Sequence, residues 1–161
     1  MIQYISKKNL KEVKALLRFI SKGVNDTESI AEKLGKNVQS GDVIAYFGGL
    51  GMGKTAFTRG LAKGMGITAD VSSPTFAIVN DYGGNPPLVH FDMYKVESWD
   101  DLYSSGFFDY LDMGAVLAVE WSENIENALP DNTIRVTIEQ GNSPEERIIT
   151  IEGINDENFS S

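Results

Sequence analysis

Hydrophobic residues in this 161-residue chain fall into short runs separated by glycine, proline and small polar residues. Residues 43–47, Val-Ile-Ala-Tyr-Phe, form a continuous apolar run of strand formers, which predicts a buried strand. Residues 115–119, Ala-Val-Leu-Ala-Val, predict a second one. Phe57 and Leu61 recur at helical spacing within residues 56–63, with Gly64 and Gly66 as stop signals. Residues 76–82 and 88–94 read as strands around Gly-Gly-Asn-Pro-Pro, which suggests a hairpin. Residues 133–139 and 147–151 alternate around a turn at 141–144 and predict another.

The remaining segments are shorter. Asn25 with Glu28 three residues on resembles a capping box opening a helix to about Gln39, followed by a turn at 40–42. Residues 70–75 are small and polar with one proline, hence a loop. Residues 98–104 suit a short acidic helix that Gly106 breaks, and 107–111 suit another turn. Residues 123–129 suit a helix ending before Pro130. Residues 1–20 admit two readings: Leu10, Val13, Leu16 and Leu17 have helical spacing, while 17–21 suits a strand equally. The sum is an α/β fold: a partly parallel sheet, helices on its faces and antiparallel additions.

Composition narrows the function classes. A formal net charge of −9 argues against nonspecific nucleic-acid binding through a basic face. It leaves open a basic protein partner, or RNA held by that partner. Cysteine is absent and His90 is the single histidine, which excludes disulfides, thiolate sites and multi-histidine metal sites within one chain. Lysines 7, 8, 11 and 14 interrupt the N-terminal segment, no signal-type apolar stretch follows, and no run approaches the ~20 residues of a membrane span. A cytoplasmic protein without membrane association is expected.

The chemistry begins where the first apolar run ends. Gly48, Gly49, Leu50, Gly51, Met52, Gly53, Lys54 and Thr55 match G-x-x-x-x-G-K-[ST], between an expected strand and an expected helix. Such a loop turns successive N–H groups toward phosphate oxygens. Lys54 would reach the β/γ-phosphates and the Thr55 hydroxyl a Mg²⁺ ion. A phosphate-bound Mg²⁺ calls for a carboxylate at a strand end, and two runs lead to one: 88–91 to Asp92 and 115–119 to Glu120. Each alone reads equally well as a solvated strand end; beside the loop, the functional reading gains weight.

Other residues keep two readings. Ser72-Ser73-Pro74-Thr75-Phe76 is a plain turn or a phosphate-sensing switch. Asp100, Asp101, Asp109 and Asp112 near Trp99 and Phe107-Phe108 are a solvated face, a second switch or a docking surface. His90, within an apolar strand, reads as a packed core residue rather than a base. Trp121 is core or an aromatic lid; Arg147 pairs with Glu145-Glu146 or reaches a phosphate. Arg59 reads as a surface residue. Only four arginines are present, which counts against a small-molecule kinase and suggests a slow hydrolase that a partner completes.

Gly41-Asp42-Val43-Ile44, the loop 48–55, Ser73-Pro74-Thr75-Phe76, His90-Phe91-Asp92-Met93-Tyr94 and Val119-Glu120-Trp121-Ser122 occur in one order. That order resembles the TsaE family, small bacterial ATPases of tRNA threonylcarbamoyladenosine biosynthesis. The resemblance runs from about Phe19 to about Gly153. It implies a three-layer P-loop fold over 17–153, flanked by an extension at 1–16 and a polar tail at 154–161. It further implies ATP and Mg²⁺ as cofactors, slow hydrolysis, and a complex with a TsaB–TsaD type heterodimer. In that family TsaD modifies adenosine 37 of tRNA, so contact with tRNA is only indirect. By resemblance, Thr55 and Glu120 match the Mg²⁺ positions and Lys54 the phosphate lysine. Asp92 matches an aspartate tied to hydrolysis, and Thr75 lies in the switch block. Ala56 extends the phosphate loop. Trp121 and Arg147 match nucleotide-side positions, and Asn25 and Thr27 match the segment near the adenine.

The chain departs from the family pattern at Gly49, where Asp is usual, and at Met52, Ala56, Lys95 and Ser72. Gly49 removes a carboxylate beside the phosphates, which keeps a non-hydrolysing nucleotide switch as an alternative. A P-loop kinase acting on a small hydroxylated substrate is the other.

Overall fold

The structure, a computed structural model, describes residues 3–6, 14–49, 51–74, 78–155 and 159. Its strands are β1 (Gln3–Ser6), β2 (Lys14–Ser21), β3 (Val43–Phe47), β4 (Val79–Gly84), β5 (Pro87–Asp92), β6 (Val116–Glu120), β7 (Ile134–Gln140) and β8 (Arg147–Asn155). The α-helices are α1 (Val24–Gly35), α2 (Lys54–Gly64), α3 (Trp99–Ser104) and α4 (Phe107–Asp112); a 3₁₀ helix spans Ser122–Ala128.

All eight strands form one sheet in the order β1-β2-β8-β7-β3-β6-β5-β4. Its centre, β7-β3-β6-β5, is parallel. The hairpins β4–β5 and β7–β8 and the pairs β2–β8 and β1–β2 are antiparallel. The apolar runs of β3 and β6 are central because strands covered on both faces need apolar residues at every position.

Alternation along those strands builds two cores. Ile44, Tyr46, Leu88, Val116 and Ala118 pack with Ala31 and Leu34 of α1 and Phe57 and Leu61 of α2. Val43, Val89, Phe91, Leu117 and Val119 pack with Leu102 of α3, Phe107 of α4 and Ile125 of the 3₁₀ helix. The result is the expected three-layer α/β/α arrangement.

Helix α2 is held from two sides. A Cβ at Gly60 would overlap the Glu28 carbonyl oxygen, and one at Gly64 the Glu32 carbonyl oxygen, so only glycine lets α1 and α2 approach this closely. Against β3, Tyr46 packs edge-on to Phe57, and its hydroxyl lies 2.8 Å from Thr58 Oγ1. These contacts aim the N-terminus of α2 at the end of the sheet where β3, β5 and β6 finish.

Several local expectations need correction. Of the two readings of the N-terminal segment, residues 14–21 take the strand: β2 pairs with β8 and buries Leu17 and Phe19 at period two. Helical spacing loses because an open sheet edge offers eight residues their ladder bonds. Residues 7–13 lie outside the described residues. Strand β2 crosses residue 16, and β8 runs through Asn155, with Phe159 buried against Phe19 at 5.4 Å. Along the sequence, the sheet therefore extends past residue 17 on one side and residue 153 on the other.

The Asn25–Glu28 capping box does not form. Helix α1 starts at Val24 after Gly23 with no side-chain cap, leaving exposed Asn25 inside its first turn. Beside it, the Ser21 hydroxyl donates to the Gly23 carbonyl at 2.8 Å and meets Thr27 Oγ1 at 2.7 Å. The helix stops at Gly35, short of Gln39, as the Asn37 amide donates to the Lys33 carbonyl. The helix expected over 123–129 is 3₁₀, and Leu129 is extended ahead of Pro130.

Candidate nucleotide site

Phosphate-loop geometry begins with close packing. Gly48 has φ 130°, and a Cβ there would overlap the Ile138 carbonyl oxygen of β7. Gly51 (φ 73°) and Gly53 (φ 101°) are also left-handed, which turns loop N–H groups toward one side. Gly53 caps α2 without a side-chain hydrogen bond. The first N–H groups of α2, from Lys54, Thr55 and Ala56, therefore face the loop with the positive end of the helix dipole. Backbone of this kind is an anion site in its own right. Leu50 lies outside the described residues.

A cleft of about 820 Å³ opens at this end of the sheet. One wall is the loop and helix start: Gly49, Gly51, Met52, Gly53, Lys54 and Thr55. Asp92, Tyr94, Lys95, Glu120 and Trp121 form the opposite wall, and Ser73, Pro74 and Ile78 form the rim. Asp92 and Glu120 are register partners at the ends of parallel β5 and β6, so they stand side by side on the face that carries α2. Asp92 Oδ1 accepts from the Tyr94 N–H at 2.9 Å. Glu120 is 8% exposed, and its Oε2 lies 3.3 Å from Nε2 of fully buried His90.

Lys54 is also 8% exposed, with Nζ 5.5 Å from the centroid of the Trp121 ring. That distance is within cation–π range. Trp121 has φ 56°, a left-handed conformation uncommon for a bulky residue. It reverses the chain after β6 and lays the indole against Tyr94, with centroids 4.8 Å apart. Strain of this kind concentrates at ligand sites.

Two further segments brace the cleft's rim and loop. Tyr82 ties the loop after α2 to β4: its hydroxyl donates to the Ser72 carbonyl at 2.8 Å and accepts from the Ser72 N–H at 3.2 Å. This holds the base of the Ser73-Pro74 rim; Thr75 and Phe76 lie outside the described residues. Because β7 runs parallel to β3, the β7–β8 turn falls at the loop end of the sheet. Arg147 opens β8 there and donates to the Pro144 and Glu146 carbonyls at 2.6 and 2.9 Å. It also approaches the Gly51 carbonyl at 3.5 Å. Its contacts are thus with backbone carbonyls, two in its own turn and one, at longer range, in the glycine loop.

Not every candidate converges. Asn25 is exposed on α1, Thr27 is buried against Ser21, and neither lines the cleft; nor does Ala56 or Gly48. Arg59 pairs with Glu28 at 2.6 Å on the outer surface. Conversely, Tyr94, Lys95 and Ile78 line the cleft although the residue patterns gave them no role. For Tyr94 and Lys95 the available signal was their position just after Asp92, at the end of a central strand.

Among the described residues no three His, Cys, Asp or Glu side chains cluster as a metal site. The oxygen donors of Thr55 and Glu120 instead suit a hard cation that takes its remaining ligands from phosphate and water, the usual setting of Mg²⁺.

The family model described as "Threonylcarbamoyl adenosine biosynthesis protein TsaE" matches residues 21–149. The chain belongs to the TsaE family. Curated TsaE relatives include one from Bacillus subtilis, 39% identical over 124 residues, covering 76% of this chain and 77% of the relative. Another, from Treponema pallidum, is 32% identical over 122 residues, covering 76% and 90%. Both are tRNA threonylcarbamoyladenosine biosynthesis proteins. The crystal structure of Bacillus subtilis YdiB superposes with a TM-score of 0.72 at 29% identity, covering 97% of this chain and 92% of that one. The TsaE match spans the phosphate loop, both strand-end carboxylates and the β7–β8 turn. No helix among the described residues is long and apolar enough to cross a membrane.

Proposed function

We propose that this TsaE-family chain is a Mg²⁺-dependent ATP hydrolase, slow alone, that drives or resets a TsaB–TsaD type transferase during tRNA threonylcarbamoyladenosine formation. One observation carries the reading. The glycine loop and the uncapped start of α2 face Asp92 and Glu120 across a single cleft, with Lys54 and Thr55 between them.

The roles follow from placement. The N–H groups of the loop and of α2 cradle the phosphates, and Lys54 leaves the Trp121 face to neutralise their charge. Thr55 and Glu120 hold Mg²⁺, which, when bound, supplies charge neutralisation on the phosphate oxygens. Asp92, anchored by the Tyr94 N–H, orients water at the cleft wall. Tyr94 and Trp121 offer an aromatic wall beside the nucleotide, and Arg147 steadies the loop at Gly51. The Ser72–Pro74 rim reports nucleotide state. The setting of this activity is the cytoplasm.

Charge supports a basic protein partner, with tRNA reached only through it. Residues 96–134 contain nine carboxylates and no Lys, Arg or His; the chain's other 14 acidic residues are matched by its 14 Lys and Arg. The net −9 is therefore concentrated on the layer of α3, α4 and the 3₁₀ helix. Eight of the nine carboxylates are exposed, Glu120 being the exception, together with Trp99, Tyr103 and Met113.

The test is phosphate release from ATP with and without a purified TsaB–TsaD pair and tRNA. Stimulation by the pair is expected. Stoichiometric ATP binding with no release in any mixture would favour the non-hydrolysing switch. Absence of both stimulation and co-purification would overturn the reading.

A further inference from the structure

We propose that His90 is a positioning residue for Glu120, holding one carboxylate oxygen so that the other faces the cleft. The inference rests on the reading of Glu120 as the metal-side carboxylate.

His90 is completely buried, and among the described residues neither ring nitrogen has a hydrogen-bond partner. Leaving two ring nitrogens in a sheet core is unfavourable, and a purely apolar ring would fill the same space without that cost. Its strand neighbours Leu88, Val89 and Phe91 are apolar and fully buried, so packing alone gives no reason for an imidazole. Asn80 stands beside it in register on β4 and the Tyr82 ring centroid lies 6.4 Å away, while its ion-pair contact is with Glu120, Nε2 lying 3.3 Å from Oε2. This separation lies just beyond the usual N–H···O hydrogen-bond distance, so a small shift of either side chain would close it.

Topology makes the contact specific. His90 and Asp92 are two residues apart on β5 and so share a face, and Asp92 is the register partner of Glu120 on β6. His90 thus lies one step into the sheet from the carboxylate pair. It does not line the cleft, whereas Glu120 does. A neutral imidazole with its proton on Nε2 would donate to Oε2 and leave Oε1 for the cleft. Partners of this kind orient a ligating side chain without touching the metal, and losing one typically costs about 10–100-fold in metal affinity.

The experiment measures ADP affinity of the full chain by calorimetry, in EDTA and in Mg²⁺, with the indole emission of adjacent Trp121 as a second readout. The quantity of interest is the gain in affinity on adding Mg²⁺. His90→Phe should reduce that gain at least tenfold while the affinity in EDTA stays as in the parent. His90→Gln, whose amide nitrogen can stand near Nε2, should restore most of it. His90→Asn, whose amide stands near Nδ1, should not, and this polar pair decides the matter if the Phe variant does not fold. A parent-like Mg²⁺ gain in folded His90→Phe, or equal losses in the Gln and Asn variants, would overturn the proposal. Glu120→Gln separates the two levels. If it keeps the full gain, Glu120 is not the metal-side carboxylate, and both readings fall together.

Discussion

Tyr46 donates its hydroxyl proton to Thr58 across the interface of β3 and α2. The direction follows from a proton count. The oxygens are 2.8 Å apart, and the single Thr58 proton is already given to the Lys54 carbonyl at 2.9 Å. Burial pushes the Tyr46 phenol well above its ordinary range, so it stays a donor. The chain Tyr46–Thr58–Lys54 thus ties Lys54 to the strand that precedes its loop.

Removing one member should be felt in stability. Tyr46→Phe is expected to cost about 1 kcal/mol, and Thr58→Val about 1–3 kcal/mol because it strands a buried hydroxyl. The double variant should cost less than the two singles combined. Urea unfolding read as a double-mutant cycle checks this; strict additivity would mean that the two groups do not interact.

The two adjacent loop glycines should behave oppositely. Gly48→Ala places a methyl into the Ile138 carbonyl oxygen at positive φ, so a loss of more than about 2 kcal/mol is expected. At Gly49 a Cβ meets only Met52 Cγ at 4.0 Å. Gly49→Asp, which restores the residue usual in the family pattern, should hold stability within about 0.5 kcal/mol. Phosphate release from this variant should change while ADP affinity is held. Thermal melts of both variants and a phosphate-release assay of the second provide the readings.

Arg147 should matter to the loop more than to the sheet. Arg147→Ala removes its bonds to the Pro144 and Glu146 carbonyls and its approach to Gly51. ATP affinity by calorimetry is expected to fall by about tenfold, roughly 1.4 kcal/mol. Unfolding stability should shift by less than about 1 kcal/mol, since the side chain is only partly buried.

The acidic layer should carry the partner contact. Asp100→Lys with Asp109→Lys is expected to weaken capture by an immobilised TsaB–TsaD pair and to reduce its salt dependence. ATP affinity should stay at the parent value, because neither residue lines the cleft. Unchanged capture across salt concentrations would place the contact elsewhere.

Asp42 sets an acid-side signature. It opens the β3 segment with Oδ2 accepting from the Gln39 N–H at 2.7 Å, and burial raises its carboxyl above the ordinary 3.8. In the folded state it holds its proton to higher pH than in the unfolded state. Its contribution therefore favours folding below 3.8 and is lost as pH rises through the raised folded value. Asp42→Asn should flatten that part of the stability–pH curve, as measured by unfolding at stepped pH.

Local pattern determined much of this protein. Continuous apolar runs are written into residues 43–47 and 115–119 because strands buried on both faces need them. The phosphate loop is legible because left-handed glycines and an N-terminal helix turn are local requirements. Asp92 and Glu120 stand out as candidates for the same reason: each ends an apolar run.

Tertiary structure decided what depends on pairing across distance. The strand register that sets Asp92 beside Glu120 joins residues 28 positions apart, and no local spacing records it. The same holds for His90 beneath Glu120 and for Arg147 at Gly51. The Asn25 capping box failed because α1 already begins at Val24, which puts Asn25 inside the first turn rather than at its cap. Residues 14–21 became a strand because β8 offered an edge, an option that helical spacing in the segment itself does not reveal. Periodicity is a property of neighbours along the chain, while a site is assembled by hydrogen-bonded register between strands, which only the folded sheet determines.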